Sequence, residues 1–133
     1  MKSPMNQETF IVDDDPVWTS MLNQILKDLG YSNIREFSSG SACVNNLYLN
    51  PGLIFLDYRM EDMDGLKVLQ LIKAYDADIP VIFCTEQKEL RVAINAMKYG
   101  SADYLVKSNF TINELTIIIK RIGEALELNE KFN

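Results

Sequence analysis

The sequence predicts a doubly wound open α/β sheet of (βα)5 order, and three observations carry that expectation. Short apolar runs of strand length alternate with longer segments of helical period, five times over. Two of the short runs, LIFL at Leu53–Leu56 and VIFC at Val81–Cys84, are apolar throughout, as expected of strands covered on both faces of a parallel sheet. No repeat, low-complexity tract or linker interrupts the alternation, and 133 residues at 47% hydrophobic suit one domain. The core is expected over about residues 7 to 129, with no effector domain after the last helix, so the chain reads as a stand-alone unit or one excised from a longer protein.

The elements follow in order. The strands are expected at Thr9–Val12, Asn33–Phe37, Leu53–Leu56, Val81–Cys84 and Tyr104–Val106. The first helix is expected over Pro16–Leu29, with Val17, Met21, Ile25 and Leu29 on one face and Trp18, Leu22 and Leu26 widening it. Asp15 precedes Pro16, so it reads as the N-cap with proline at N1. The second, third and fourth helices are expected over Ser39–Leu49, Gly65–Tyr75 and Glu86–Tyr99. The fifth, Ile112–Leu128, carries the stripe Leu115, Ile119, Ile122 and Leu126. Gly30 and Gly100 stand where helix C-caps would put them. Crossovers between parallel strands are expected to be right-handed.

Composition narrows the function. A net charge of −6 removes any overall attraction to nucleic acid or anionic membrane. The N-terminus MKSPMNQETF lacks the apolar run of a signal peptide, and no segment approaches ~20 apolar residues, so a cytoplasmic protein is expected. Cys43 and Cys84, both in apolar contexts, read as buried free thiols. There is no histidine, which removes every Ser-His or Cys-His nucleophile pair and every His-ligated metal. Chemistry here must run on carboxylates, hydroxyls and lysine.

Open sheets of this class bind ligands beyond the carboxyl ends of their strands, and the polar residues concentrate there. The first strand ends in Asp13, Asp14 and Asp15, the third in Asp57, the fourth in Thr85 and the fifth in Lys107. Capping explains Asp15 and leaves Asp13 and Asp14 without a structural task. Were the first and third strands neighbours in the sheet, those two would lie close to Asp57. At ~4 Å and an effective dielectric near 20, each carboxylate pair costs on the order of 4 kcal/mol, a large share of a domain stability of roughly 5–15 kcal/mol. A cation must sit among them, or their pKa values must rise. An all-oxygen site open to water suits Mg²⁺, and three aspartates, one Mg²⁺ and Lys107 sum to zero charge.

These residues resemble the receiver domain of response regulators in two-component signalling, over nearly the whole chain from Phe10 to the last helix. The pair Asp13-Asp14 after an apolar strand, Asp57 running into M-x-x-M-D-G (Met60 to Gly65), Thr85 and Lys107 fall in order at suitable spacings. The resemblance implies a flavodoxin-like sheet of strand order 2-1-3-4-5. It implies that Asp57 is the phosphoacceptor, with Asp14 binding Mg²⁺ directly, Asp13 through water, and the backbone carbonyl of Arg59 as a further ligand. Thr85 would hydrogen-bond the attached phosphoryl group, Lys107 would offset its charge, and Tyr104 matches the aromatic switch position. The implied donor is a sensor histidine kinase or a histidine phosphotransfer protein, consistent with a chain that holds no histidine. The implied output is a changed surface on the fourth helix, fifth strand and fifth helix, presented to a partner the sequence does not identify or to a second copy in a homodimer. On the fourth helix that face would hold Lys88, Arg91, Asn95 and Lys98. Such a protein assists its own phosphorylation and dephosphorylation and is not a turnover enzyme on an external substrate.

Three positions depart from the family pattern. Glu61 stands where proline usually follows the methionine, and Glu86 stands where alanine or glycine usually follows the threonine. Ser108 replaces the proline after Lys107; a cis bond there would cost ~2.5–4 kcal/mol, so a trans bond is expected. Arg59 is expected to pair with Glu86 as a gate over Asp57. The departures keep a second reading open, a receiver-like interaction module that takes no phosphate. A flavodoxin-like FMN carrier would need a Ser/Thr/Gly-rich phosphate cradle where this chain has DDDP. A haloacid-dehalogenase-type phosphatase would need an aspartate where Arg59 stands.

Overall fold

The computed structural model describes residues 7–86 and 89–132, with side chains of the last helix described through residue 128. Its five strands are β1 (Thr9–Val12), β2 (Ile34–Phe37), β3 (Leu53–Asp57), β4 (Val81–Thr85) and β5 (Asp103–Val106). All pair in parallel, in the order β2-β1-β3-β4-β5. The sheet order implied by the family resemblance is therefore the one observed. Five α-helices connect and follow the strands: α1 (Pro16–Asp28), α2 (Gly40–Asn45), α3 (Gly65–Tyr75), α4 (Leu90–Lys98) and α5 (Ile112–Phe132). A short 3-10 helix, Leu47–Leu49, follows α2.

Strand pleating explains why the central runs carry no polar residue. Successive side chains point to opposite faces. Phe10, Val12, Ile54, Leu56, Val81 and Phe83 pack with Val68, Leu69, Ile72 and Ala96 on the side of α2, α3 and α4. Ile11, Leu53, Phe55, Ile82, Cys84 and Leu105 pack with Leu22, Leu26, Leu115, Ile118 and Ile122 of α1 and α5 on the other. Both faces of β1, β3 and β4 are therefore dry, and only the strand ends offer a place for charge. The edge strand β2 differs. Its Arg35 is exposed and pairs with Glu8 at 2.8 Å, a charged rim against edge-to-edge pairing.

Several local expectations hold. Asp15 caps α1 by accepting from the Val17 N–H at 3.0 Å, and Gly30 and Gly100 adopt φ of 103° and 102° after α1 and α4. Cys43 and Cys84 are buried and free, on opposite faces of the sheet. Burial raises both thiols, Cys43 to about 12.

Three expectations are corrected. On α1 the buried face is Trp18, Leu22 and Leu26, while Val17 is 77% exposed and Met21 41%. Two adjacent stripes shared the 3.6-residue period, and docking on the sheet selected the one following Trp18. The second helix stops at Asn45 rather than Leu49: the Asn46 side-chain amide donates to the Ala42 carbonyl at 2.7 Å, and the chain tightens into the 3-10 turn. The fourth helix begins at Leu90, not Glu86. The Glu86 N–H donates to the Glu89 carboxylate at 3.1 Å, and the Glu89 N–H to the Glu86 carbonyl at 2.9 Å, closing a turn ahead of the helix. Lys88, expected on the α4 face, lies outside the described residues; Arg91, Asn95 and Lys98 are exposed on it.

Candidate functional site: an acidic cluster at the strand ends

Parallel pairing in this order carries the ends of β1 and β3 side by side, with Val12 opposite Leu56. The next residues, Asp13 and Asp57, therefore emerge together. One carboxylate oxygen from each of Asp13, Asp14 and Asp57 lies within 4.8 Å of the others. Asp13 and Asp57 are buried, at 4% and 7% exposure, and Asp14 faces solvent. The backbone of the next turn fixes Asp13, whose Oδ1 accepts from the Asp15 N–H at 2.9 Å.

Lys107 reaches into the cluster from the end of β5. Its Nζ lies 2.6 Å from Asp13 Oδ2 and 3.0 Å from Asp57 Oδ1. Among the described residues no peptide bond is cis, so the expected trans bond to Ser108 still delivers the lysine to both acids. Its backbone is held too, the Lys107 N–H donating to the Thr85 carbonyl at 2.8 Å.

The charges explain the titration. Burial, the neighbouring Asp13 anion and a smaller push from Asp14 raise Asp57 to about 6, against the pull of Lys107. Asp13 is also raised, by burial first, although Lys107 and the Asp15 N–H oppose this. Burial works against the Lys107 ammonium, yet its hydrogen bond and charge contact with Asp13, and the charge of Asp57, hold it above its ordinary value. One ammonium does not balance three carboxylates, and a site with an acid held near 6 favours binding a further cation.

The donor set suits a hard divalent ion. The three ligand oxygens are carboxylates, one of them open to water, which is the chemistry magnesium takes. A second observation points to a ligand: Thr85 Oγ1 at the end of β4 is fully buried and has no hydrogen-bond partner among the described residues. A buried hydroxyl left unpaired is costly, and this one follows Cys84, the β4 residue in register with Asp57. Beside the cluster, a cavity of about 320 Å³ is lined by Asp14, Tyr58, Arg59, Met60, Glu61 and Asp64.

The loop after Asp57 is held by contacts that sequence reasoning missed. Gly65 opens α3 and donates its N–H to the Tyr58 carbonyl at 2.7 Å. A Cβ on Gly65 would lie 2.3 Å from the Asp57 carbonyl oxygen, so the glycine of M-x-x-M-D-G is needed for that approach. Asp62 accepts from the Gly40 and Ser41 N–H groups at 3.1 and 2.9 Å and from Ser41 Oγ at 2.6 Å, tying the loop to the start of α2. Those bonds, the Ser41 hydroxyl foremost, pull Asp62 down to about 2. Sequence spacing carries no signal for a bond across twenty-two residues.

The expected Arg59–Glu86 pair is not formed. Arg59 Nε is ion-paired instead with Glu89 Oε2, and its guanidinium lies 5.6 Å from the Tyr58 ring centroid. Glu86 is exposed, as are Glu61 and Ser108, so the side chains of all three departures from the family pattern face solvent. Tyr104 is half-buried against the α3 and α4 side of the core, opposite Phe83 in register.

Comparison with known proteins agrees with this geometry. A family profile described as the response regulator receiver domain matches residues 9–120. The nitrogen assimilation regulatory protein NtrX of Azorhizobium caulinodans is 31% identical over 129 residues, 96% of this chain and 28% of that protein. The regulatory protein LuxO of Vibrio vulnificus is 35% identical over 98 residues, 73% of this chain and 21% of that protein. The chain thus spans about a quarter of the length of the curated relatives it matches. A receiver domain from Clostridium thermocellum superposes with a TM-score of 0.83 at 25% identity, covering 92% of this chain and 98% of that one. The receiver domain of NtrX from Brucella abortus gives 0.81 at 25% identity, covering 87% and 98%. Among the described residues no helix is long and apolar enough to cross a membrane.

Proposed function

Because the chain belongs to the receiver-domain family of response regulators, we propose that it is a phosphoaccepting switch that takes a phosphoryl group on Asp57 from a histidine of a partner kinase or phosphotransfer protein. The observation that carries this is the grouping of Asp13, Asp14 and Asp57 with Lys107 and the unpartnered Thr85 hydroxyl on one rim.

An oxygen of the Asp57 carboxylate attacks phosphorus in line. The P–O bond forms as the P–N bond to the donor imidazole breaks, and the departing imidazole keeps the electron pair. The carboxylate must be ionised to attack; with Asp57 near 6, most of it is ionised at neutral pH. Lys107, already against Asp57 Oδ1, is placed to follow charge onto the phosphoryl oxygens. Thr85 Oγ1 gains the partner it lacks when a phosphoryl oxygen arrives. Asp13, Asp14, Asp57 and the Arg59 carbonyl would hold Mg²⁺, which when bound offsets the charge of the acids and of the transferring group. Movement of Thr85 toward that group would free space for Tyr104 and bias the α4, β5 and α5 surface that partners read. The chain assists its own labelling and has no external substrate to turn over.

Acetyl phosphate with magnesium, followed by intact mass, tests the proposal. Wild type is expected to gain one phosphoryl group and Asp57→Asn none. A wild type that stays unlabelled, with a magnesium titration showing no occupancy, would leave a receiver-like interaction module as the better reading.

A further inference from the structure

Trp18 is the chain's single tryptophan and is 5% exposed. An aliphatic side chain would serve as well in an ordinary core position, but this ring has two neighbours that belong to the site. Lys107 Nζ lies over it, 5.3 Å from the centroid. Phe110, three residues further along the loop that follows β5, meets it edge-on at 5.4 Å with the planes at 77°. Trp18 thus touches the charge of the lysine and also a hydrophobic anchor of the loop that carries it.

The sequence gives that contact a task. Ser108 follows Lys107, so no proline ring restricts the chain at that point. The lysine side chain is 12% exposed and has carboxylates on one side, at Asp13 and Asp57. An ammonium shielded from water is attracted to the face of an indole, the strongest of the aromatic faces in this respect. We propose that Trp18 is a positioning residue for phosphoryl transfer: its ring holds the Lys107 ammonium and, through Phe110, the loop after β5, so that the lysine points at Asp57. This rests on the phosphoacceptor reading above.

Trp18→Leu removes the ring face, and Trp18→Phe keeps one. With circular dichroism confirming a folded sheet in each, acetyl phosphate labelling at saturating magnesium is expected to be about five- to twentyfold slower in Trp18→Leu and to recover most of that loss in Trp18→Phe. Magnesium affinity, read by calorimetry, is expected to be no weaker in Trp18→Leu, because a loosened ammonium opposes the cation less. Phe110→Leu, which leaves the lysine contact intact, keeps the question open to test should Trp18→Leu not fold, and is expected to slow labelling in the same direction. Wild-type labelling rates in both leucine variants, equal losses in Trp18→Leu and Trp18→Phe, or magnesium binding that weakens in step with labelling would each overturn the proposal. The contact itself is read without metal or phosphodonor, as a change in Trp18 emission between wild type and Lys107→Met; identical spectra overturn it. An unlabelled wild type would defeat the phosphoacceptor reading, and the emission comparison would still decide whether ring and ammonium meet.

Discussion

Arg59 and Glu89 form an ion pair of unequal ends: the carboxylate side chain is 5% exposed and the guanidinium 67%. Glu89 also accepts the Glu86 N–H at 3.1 Å, so one buried acid joins the loop after Asp57 to the turn that starts α4.

Loss of the buried end is expected to matter more than loss of the exposed end. Glu89→Ala should destabilise the domain by about 1–3 kcal/mol, since the Glu86 N–H loses its acceptor and a buried space opens. A double-mutant cycle with Arg59→Ala should give a coupling of about 1 kcal/mol or less, because the guanidinium is well solvated. Glu86→Ala, on an exposed side chain, should stay within about 0.5 kcal/mol. Urea denaturation measures all four; a larger effect at Glu86 than at Glu89 would return the gate to Glu86.

Asp57 sets a pH dependence in the metal-free protein. Its pKa rises from the ordinary 3.8 to about 6 on folding, so the folded state binds the proton more tightly than the unfolded chain. The associated stabilisation is fully present below about pH 4 and is lost as pH rises through about 6, leaving at neutral pH a deficit of about 3 kcal/mol from this group. Asp57→Asn should therefore melt higher than wild type at pH 7, by an amount that shrinks between pH 6 and 4. Magnesium should narrow the gap at pH 7. Equal melting temperatures for the two proteins across this range, measured without metal, would contradict the burial and charge assigned to Asp57.

Gly65→Ala places a methyl group 2.3 Å from the Asp57 carbonyl oxygen. Backbone, not a flexible side chain, stands in its way, so β3 or α3 must shift. A destabilisation of about 2–4 kcal/mol and strongly slowed labelling of Asp57 are expected. Gly123→Ala, with nothing within 4 Å of the new Cβ, should leave stability unchanged or raise it slightly.

Asp62→Ala removes the acceptor of three bonds at the start of α2. The expected loss is about 1 kcal/mol, in the range of a helix cap. Because Asp62 is held down to about 2, its contribution should persist through mildly acid conditions and fade only as pH falls toward that value. Thermal melts of the variant and wild type at pH 4 and 7 should therefore differ by similar amounts.

The alternation of apolar runs predicted a parallel sheet with Asp13, Asp14, Asp57, Thr85 and Lys107 at its strand ends, while the strand order that sets β1 beside β3 came from the family resemblance. Each sits at the end of a strand whose length and burial are written in consecutive residues, and parallel pairing does the rest. The cap at Asp15 was legible for the same reason, since it acts on its own helix. What only the folded chain decided were contacts between segments far apart in sequence. Arg59 met Glu89 because the turn before α4 directs that acid inward, Asp62 met the start of α2, and Trp18 rather than Val17 turned to the core. Periodicity and spacing constrain a residue relative to its neighbours along the chain; which distant partner a loop side chain meets depends on the path of two backbones at once, and that is set only when the sheet and its helices pack.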